Sequence, residues 1–306
     1  MTTKALNDSL QAPRAAAGLA ERSMLVIFCL AAGFGYRVLV GAFPANIVQA
    51  GVLLILAAVL LLLSVLARRS QRLAQYWEIP FAFFVFTVAG ILSDQGGFIQ
   101  QLFVRNVLHE APSANNPLAT TVLGTVVAQL VSTVCLAIPI LLLTRASGSD
   151  PKALFIDQPR NRWALVIGIV GFLVFFVYTA SGRAQRFFPN AGVTVSHFLA
   201  LSPALVVLVL CNGLREELWF RGLFLKKYGK FLGPWASNLL AAIIFTSFHV
   251  QVTYTPALVP FLVITLVSGL FYGYLTQKSG SLLPSALFHA GADIPIFLVY
   301  LSYALR

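Results

Sequence analysis

Long apolar runs separated by short polar segments occupy almost the whole chain, and most are too long for a soluble strand or an ordinary core helix. A helix needs about 20 mostly apolar residues to cross the hydrocarbon core of a bilayer. Nine runs are candidates: 23–43, 45–67, 77–93, 118–144, 162–180, 198–225, 234–253, 257–277 and 281–304. The third is short and holds Pro80 and Gly90, so eight or nine spans fit the pattern equally well. The pattern therefore predicts an all-α protein, a polytopic membrane helical bundle of eight or nine transmembrane helices. No internal repeat comparable to the inverted halves of many transporters is visible. Residues 1–22 are polar and Ala-rich and read as an N-terminal arm. The first run reads as a span and not a signal peptide, because that polar lead is long and Arg37 interrupts the region where cleavage would fall. The loop from Arg145 to Arg162, with Gly148, Pro151 and Pro159, divides N-terminal helices (23–162) from a C-terminal core (163–306).

Composition agrees with this class. The chain is 58% hydrophobic and 10% charged, with a mean hydropathy of +0.85, whereas a soluble domain carries about 25% charged residues. A net charge of +11 raises the question of nucleic acid, but the basic residues are scattered among short loops and form no continuous basic and aromatic surface. Their distribution is topological. Fourteen Lys and Arg fall on one side of the predicted spans (positions 4, 14, 22, 68, 69, 72, 145, 152, 160, 162, 226, 227, 230 and 278), against Arg105, Arg183, Arg186 and Arg306 on the other. The positive-inside rule then makes the N-terminus cytoplasmic. The compact loops suggest a multi-pass protein of a bacterial inner membrane, with the lipid bilayer as its constant partner. Cys29, Cys135 and Cys211 are odd in number and all lie in apolar runs, so no disulfide framework is implied.

Of only ten carboxylates, Glu216, Glu217 and Asp293 sit inside apolar runs, joined there by two of the four histidines, His249 and His289. An ionised side chain in hydrocarbon costs about 2.5–3.5 kcal/mol even on the lenient insertion scale, so such residues face a bundle interior or a wet cavity. Adjacent helical residues point about 100° apart, so Glu216 and Glu217 face different directions, while Glu217 and Arg221 are i,i+4 partners. Glu217 is expected to pair with Arg221, leaving Glu216 to face a cavity as a general base. The second element is Phe245 to His249, and the third is His289 with Asp293, again at i,i+4 spacing. Counting about 1.5 Å per residue from the basic loops gives the three elements similar depths, which predicts one polar cavity opening toward the cytoplasm. Gly269 and Gly273 read as a small-xxx-small packing face. Singly these features have bland readings: a membrane histidine commonly just packs, and a Glu-Glu-x-x-x-Arg run at a helix end is often a snorkelling ionic cluster. Their conjunction on three spans argues for one site. Such a site suits an enzyme; a transporter relaying protons or a cation, and a non-catalytic immunity or scaffold protein, are the competing classes. Absent repeats weigh against the first competitor and buried acids against the second.

Together, Glu-Glu-x-x-x-Arg at 216–221, Phe-x-x-x-His at 245–249 and His-x-x-x-Asp at 289–293, with Gly-Ser-Leu-Leu-Pro at 280–284, resemble the CPBP family, the membrane-embedded CAAX proteases and bacteriocin-processing (Abi) enzymes. The resemblance covers roughly residues 198–304. It implies an intramembrane endopeptidase acting on a peptide or membrane-protein substrate, with Glu216 activating water, His249, His289 and Asp293 completing the catalytic set, and Glu217, Arg221 and Phe245 in support. CAAX-cleaving relatives carry Asn where this chain has Asp293, and an ionised Asp cannot donate to an oxyanion. Asp293 is then protonated, or orients His289, or serves a metal. Glu216, His249, His289 and Asp293 would be the ligands if zinc were bound, but the His-Glu-x-x-His helix of many metalloproteases is absent, so a mechanism requiring no cofactor is favoured.

Overall fold

Each apolar run contains a helix in the computed structural model, which describes residues 18–113, 116–190 and 192–304. Among the described residues there are ten α-helices and no strand: α1 (Leu19–Ala42), α2 (Ile47–Arg69), α3 (Glu78–Ser93), α4 (Phe98–Asn106), α5 (Val122–Ala146), α6 (Arg162–Ala180), α7 (Val195–Glu217), α8 (Leu225–Ser247), α9 (Leu258–Ser279) and α10 (Leu283–Ala304). The arm expected over residues 1–22 lies mostly outside the described residues; its last four residues already belong to α1. Several helices start where the sequence supplies a cap, with the side chains of Asn46, Thr121, Asn161 and Thr194 accepting from first-turn amides of α2, α5, α6 and α7.

Among the described residues eight segments are long and apolar enough to cross a membrane. The third candidate, doubtful in sequence, is among them as Ala74–Asn106. Pro80 falls in the first turn of α3, where an amide lacks an intrahelical partner in any case. Gly90 is where the Tyr36 hydroxyl and Trp219 ring press against the helix, leaving no room for a Cβ. The candidate that falls short is 234–253. Its helix, α8, is kinked at Gly233 (φ 76°) and ends at Ser247. The stretch after the kink is therefore about 21 Å long, too short to span a bilayer as helix alone.

The helices pack in the order α1, α2, α3, α5, α7, α10, α9, α8 and back to α1, closing a ring, with α6 laid against α10. Apolar side chains of α2 and α6, such as Leu54, Ile55, Val166 and Val177, face outward as a lipid-facing surface requires. Alternating helix directions gather the junctions at two ends. At one end, Arg160 N donates to Ser279 O (2.8 Å), Leu282 N to Phe155 O (3.0 Å) and Lys230 pairs with Glu78 (2.6 Å). At the other, Arg37 of α1 donates to Gln251 after α8, and Glu110 accepts from Thr120 and Thr121 before α5. The first of these ends carries the basic loops.

Candidate active site

The site lies where α7 and α10 meet. Gly213 permits the approach: a Cβ there would stand 2.6 Å from Ala286 O of α10. This brings Glu216 of α7 and His289 and Asp293 of α10 together, with His289 Nε2 3.6 Å from Glu216 Oε2 and 3.7 Å from Asp293 Oδ1. Immediately after Glu217 the helix widens into a π-turn, Leu218–Gly222, a distortion common at functional sites.

The two glutamates divide as helix geometry requires. Glu217 is fully buried; its Oε1 accepts from Arg221 Nη1 (3.0 Å) and from His289 Nδ1 (2.9 Å). Arg221 is also fully buried, donates to Gly269 O (3.1 Å) and lies over the rings of Phe245 (4.2 Å) and Tyr272 (5.4 Å). Gly269 and Gly273 are packing positions, as expected: a Cβ would press on Arg221 at the first and on Asn238 at the second. Phe245 also supports His249, its carbonyl accepting from His249 Nδ1 at 3.0 Å. A carbonyl only accepts, so Nδ1 carries the proton and Nε2 is left as an acceptor.

Glu216 is not the free carboxylate that the sequence suggested. Its Oε1 accepts from Arg215 Nη2 (3.3 Å) and Asn212 Nδ2 (3.2 Å), while Oε2 has no protein hydrogen-bond donor. Asn212 Nδ2 also donates to Asp293 Oδ2 (2.8 Å), so a single amide joins the two carboxylates. The orientation of that amide is fixed from behind, because its Oδ1 accepts from Arg215 Nη2 (3.0 Å) and Gln129 Nε2 (3.4 Å). Arg215 is anchored in turn on Ser93 O (3.3 Å) and Ser132 Oγ (3.2 Å). Sequence reasoning passed over Asn212 and Arg215. The signal for Arg215 was present, since a cation within an apolar span is functional by default; Asn212 is uncharged and stood out only by its i,i+4 spacing from Glu216.

Two cavities meet at these residues. A polar one of about 530 Å³ is lined by Glu216, His249 and Asp293 together with Arg37, Asp94, Asn212 and Arg215. An apolar one of about 290 Å³, walled by Phe175, Phe188, Phe261 and Tyr272, reaches His249, His289 and Asp293 from the other side. The polar cavity does not open toward the basic loops as the helix depths suggested. Its lining continues to Phe43, Ala45, Gly96, Pro117 and Gln251–Tyr254, at the opposite end of the bundle. Toward the basic end an aromatic plug closes it, with Phe86 stacked on Trp219 (4.5 Å) and Phe83 against Phe224 (4.7 Å).

Among the described residues no three His, Cys, Asp or Glu side chains group as a metal site. The Nδ1 atoms of both histidines are engaged, by the Phe245 carbonyl and by Glu217, which leaves Nε2 of each directed elsewhere.

Residues 197–295, which carry every motif residue, match the family model of type II CAAX prenyl endopeptidases, Rce1-like. The match covers 99 of the 306 residues and is a likeness to that family over the part of the chain that carries the site. No curated protein and no solved structure matches the chain.

Proposed function

With a core that matches the CAAX-type intramembrane proteases as its premise, we propose that this protein is a glutamate-dependent endopeptidase that hydrolyses a peptide bond of a peptide or membrane-protein substrate, with Glu216 as general base. The observation that carries this reading is the geometry of Glu216, which lines the polar cavity: one oxygen is held by Arg215 and Asn212, and the other is buried without a protein donor, 3.6 Å from His289 Nε2. A carboxylate so fixed can take a proton from a water in the cavity, and His249, whose Nε2 is an acceptor in the neutral ring that gives its Nδ1 proton to Phe245 O, shares that cavity. As water attacks the carbonyl carbon, its proton passes to Glu216 and the carbonyl oxygen becomes an oxyanion. Collapse of that intermediate breaks the C–N bond, and the proton moves to the departing amine. Oxyanion stabilisation falls to donors, and His289, whose Nδ1 proton goes to Glu217, supplies an Nε2–H as the imidazolium, while both Asn212 amide protons are already given to Glu216 and Asp293.

Asp293 accepts from Asn212 and lies 3.7 Å from His289 Nε2, so of the three roles open to it, a charge partner for His289 fits best, the hydrogen bond that orients the ring coming from Glu217. No step is routed through a metal, since Glu216 can itself take the proton from water. The test is cleavage of a fluorescence-quenched peptide library by the purified protein in detergent, with Glu216→Gln as control. The proposal expects turnover that survives chelators and is lost in the variant; unchanged turnover in Glu216→Gln would overturn it.

A further inference from the structure

The position of the cavity mouth bears on where the substrate comes from. Among the described residues twelve Lys and Arg (22, 68, 69, 72, 145, 152, 160, 162, 226, 227, 230 and 278) belong to one end of the bundle and three (105, 183 and 186) to the other, which by the positive-inside rule makes the first end cytoplasmic. None of the described residues in junctions 70–77, 147–161, 223–233 or 280–282, all at that end, lines the polar cavity. Its outer lining comes from the junctions at the opposite end, where Gly41, Gln251 and Thr253 are exposed. The route toward the basic loops is filled by the buried aromatic cluster of Phe83, Phe86, Trp219, Phe224 and Tyr228.

A second observation points the same way. α8 stops at Ser247, and irregular backbone from Phe248 to Ala257 continues through the depth a full span would occupy. Non-helical backbone at membrane depth is tolerated where it lines a water-filled cavity, since its amides and carbonyls otherwise lack partners. Gln251 to Tyr254 do line the cavity. The cavity that Glu216 lines therefore opens at the end opposite the basic loops. The contact of Arg37 with Gln251 joins α1 to this connection at the rim.

We propose that cleavage takes place from the exported face: the substrate is an extended polypeptide segment presented at the extracytoplasmic surface, such as the membrane-proximal stretch of an exported or anchored protein, and it reaches Glu216 through the mouth framed by Ala45, Gly96 and Thr253. A cavity of about 530 Å³ lies within the ~300–1,000 Å³ typical of ligand sites, which suits a few residues of extended chain and excludes a folded domain. This deepens the proposed function and rests on it for the word substrate.

The experiment labels Thr253→Cys and Lys227→Cys variants with a membrane-impermeant maleimide in intact cells and after permeabilisation, the unaltered protein with its three native cysteines serving as blank. In parallel, right-side-out and inside-out vesicles receive an impermeant quenched peptide that the detergent-solubilised protein cleaves. The proposal expects Thr253→Cys to react in intact cells, Lys227→Cys to react only after permeabilisation, and right-side-out vesicles to cleave. Labelling of Lys227→Cys in intact cells, no labelling of Thr253→Cys, or cleavage by inside-out vesicles alone would overturn it. Absence of any cleavage by solubilised protein would instead defeat the proposed function, and the labelling alone then decides which face the cavity meets.

Discussion

At Glu216 and Glu217 one helix turns two neighbouring carboxylates about 100° apart, and each meets different partners. Glu217 is enclosed with Arg221 and His289. Removing one member of a buried pair costs on the order of 3–5 kcal/mol, because the remaining charge stays buried. Glu217→Gln should therefore lower the melting temperature in detergent markedly and keep partial activity in whatever folds. Glu216→Gln should keep the fold and lose turnover, since its amide cannot take a proton; a stable, inactive Glu217→Gln beside an active Glu216→Gln would reverse the roles. Asn212 gives a second test. Its amide donates to both Glu216 and Asp293, and hydrogen bonds to charged groups contribute about 1.5–3 kcal/mol. Asn212→Ala should thus cut kcat about ten- to a hundredfold, with KM little changed and the pH profile displaced. A profile identical to the parent's would make Asn212 merely structural. The charged members of this site were legible in sequence because charge in an apolar run is conspicuous. Asn212 was not, because an uncharged amide gains meaning only when α10 brings Asp293 beside it.

Helix packing sets how far apart those residues stand. Gly213 lets α7 approach α10, and a side chain there meets the Ala286 carbonyl at 2.6 Å. Gly213→Val should destabilise by about 1–3 kcal/mol through overpacking and, by separating Glu216 from Asp293, reduce activity beyond the loss of folded protein; a variant with native activity per folded molecule would refute this coupling. The entrance to α5 is tied down differently. Burial alone would raise the Glu110 carboxyl, but hydrogen bonds from Thr121 and Thr120 prevail and hold it below the ordinary carboxylate value. A depressed pKa stabilises the fold above the unfolded-state value, about 4.3 for Glu, and that stabilisation is lost as pH falls through the lower folded value. Melting temperatures of the parent and Glu110→Gln should therefore differ at neutral pH and converge in acid; a gap that persists at low pH would contradict it. At this scale the sequence was least reliable for α8. Apolar content suggested a full span over 234–253, yet the Gly233 kink and the stop at Ser247 leave a short helix followed by chain that lines the cavity. Composition cannot reveal this, because residues facing a narrow cavity between helices need be no more polar than those facing lipid.

For the whole molecule, apolar runs and their spacing were enough to read the class: a helical membrane bundle with eight segments able to span and a polar site in its C-terminal half. Ring closure from α1 through α10 and α9 to α8 was not readable, because apolar helices carry no mark of their neighbours. Nor was the side on which the cavity opens. Depths counted from the basic ends located the site, but only packing revealed an aromatic plug on one side and a polar mouth on the other. Whether Glu216 activates water or is itself the nucleophile is decided by a single turnover in H₂¹⁸O with enzyme in excess over a cleaved peptide. General-base catalysis by Glu216 predicts ¹⁸O in the new carboxylate of the product and none in the peptide containing Glu216; unlabelled product with label on Glu216 would contradict it.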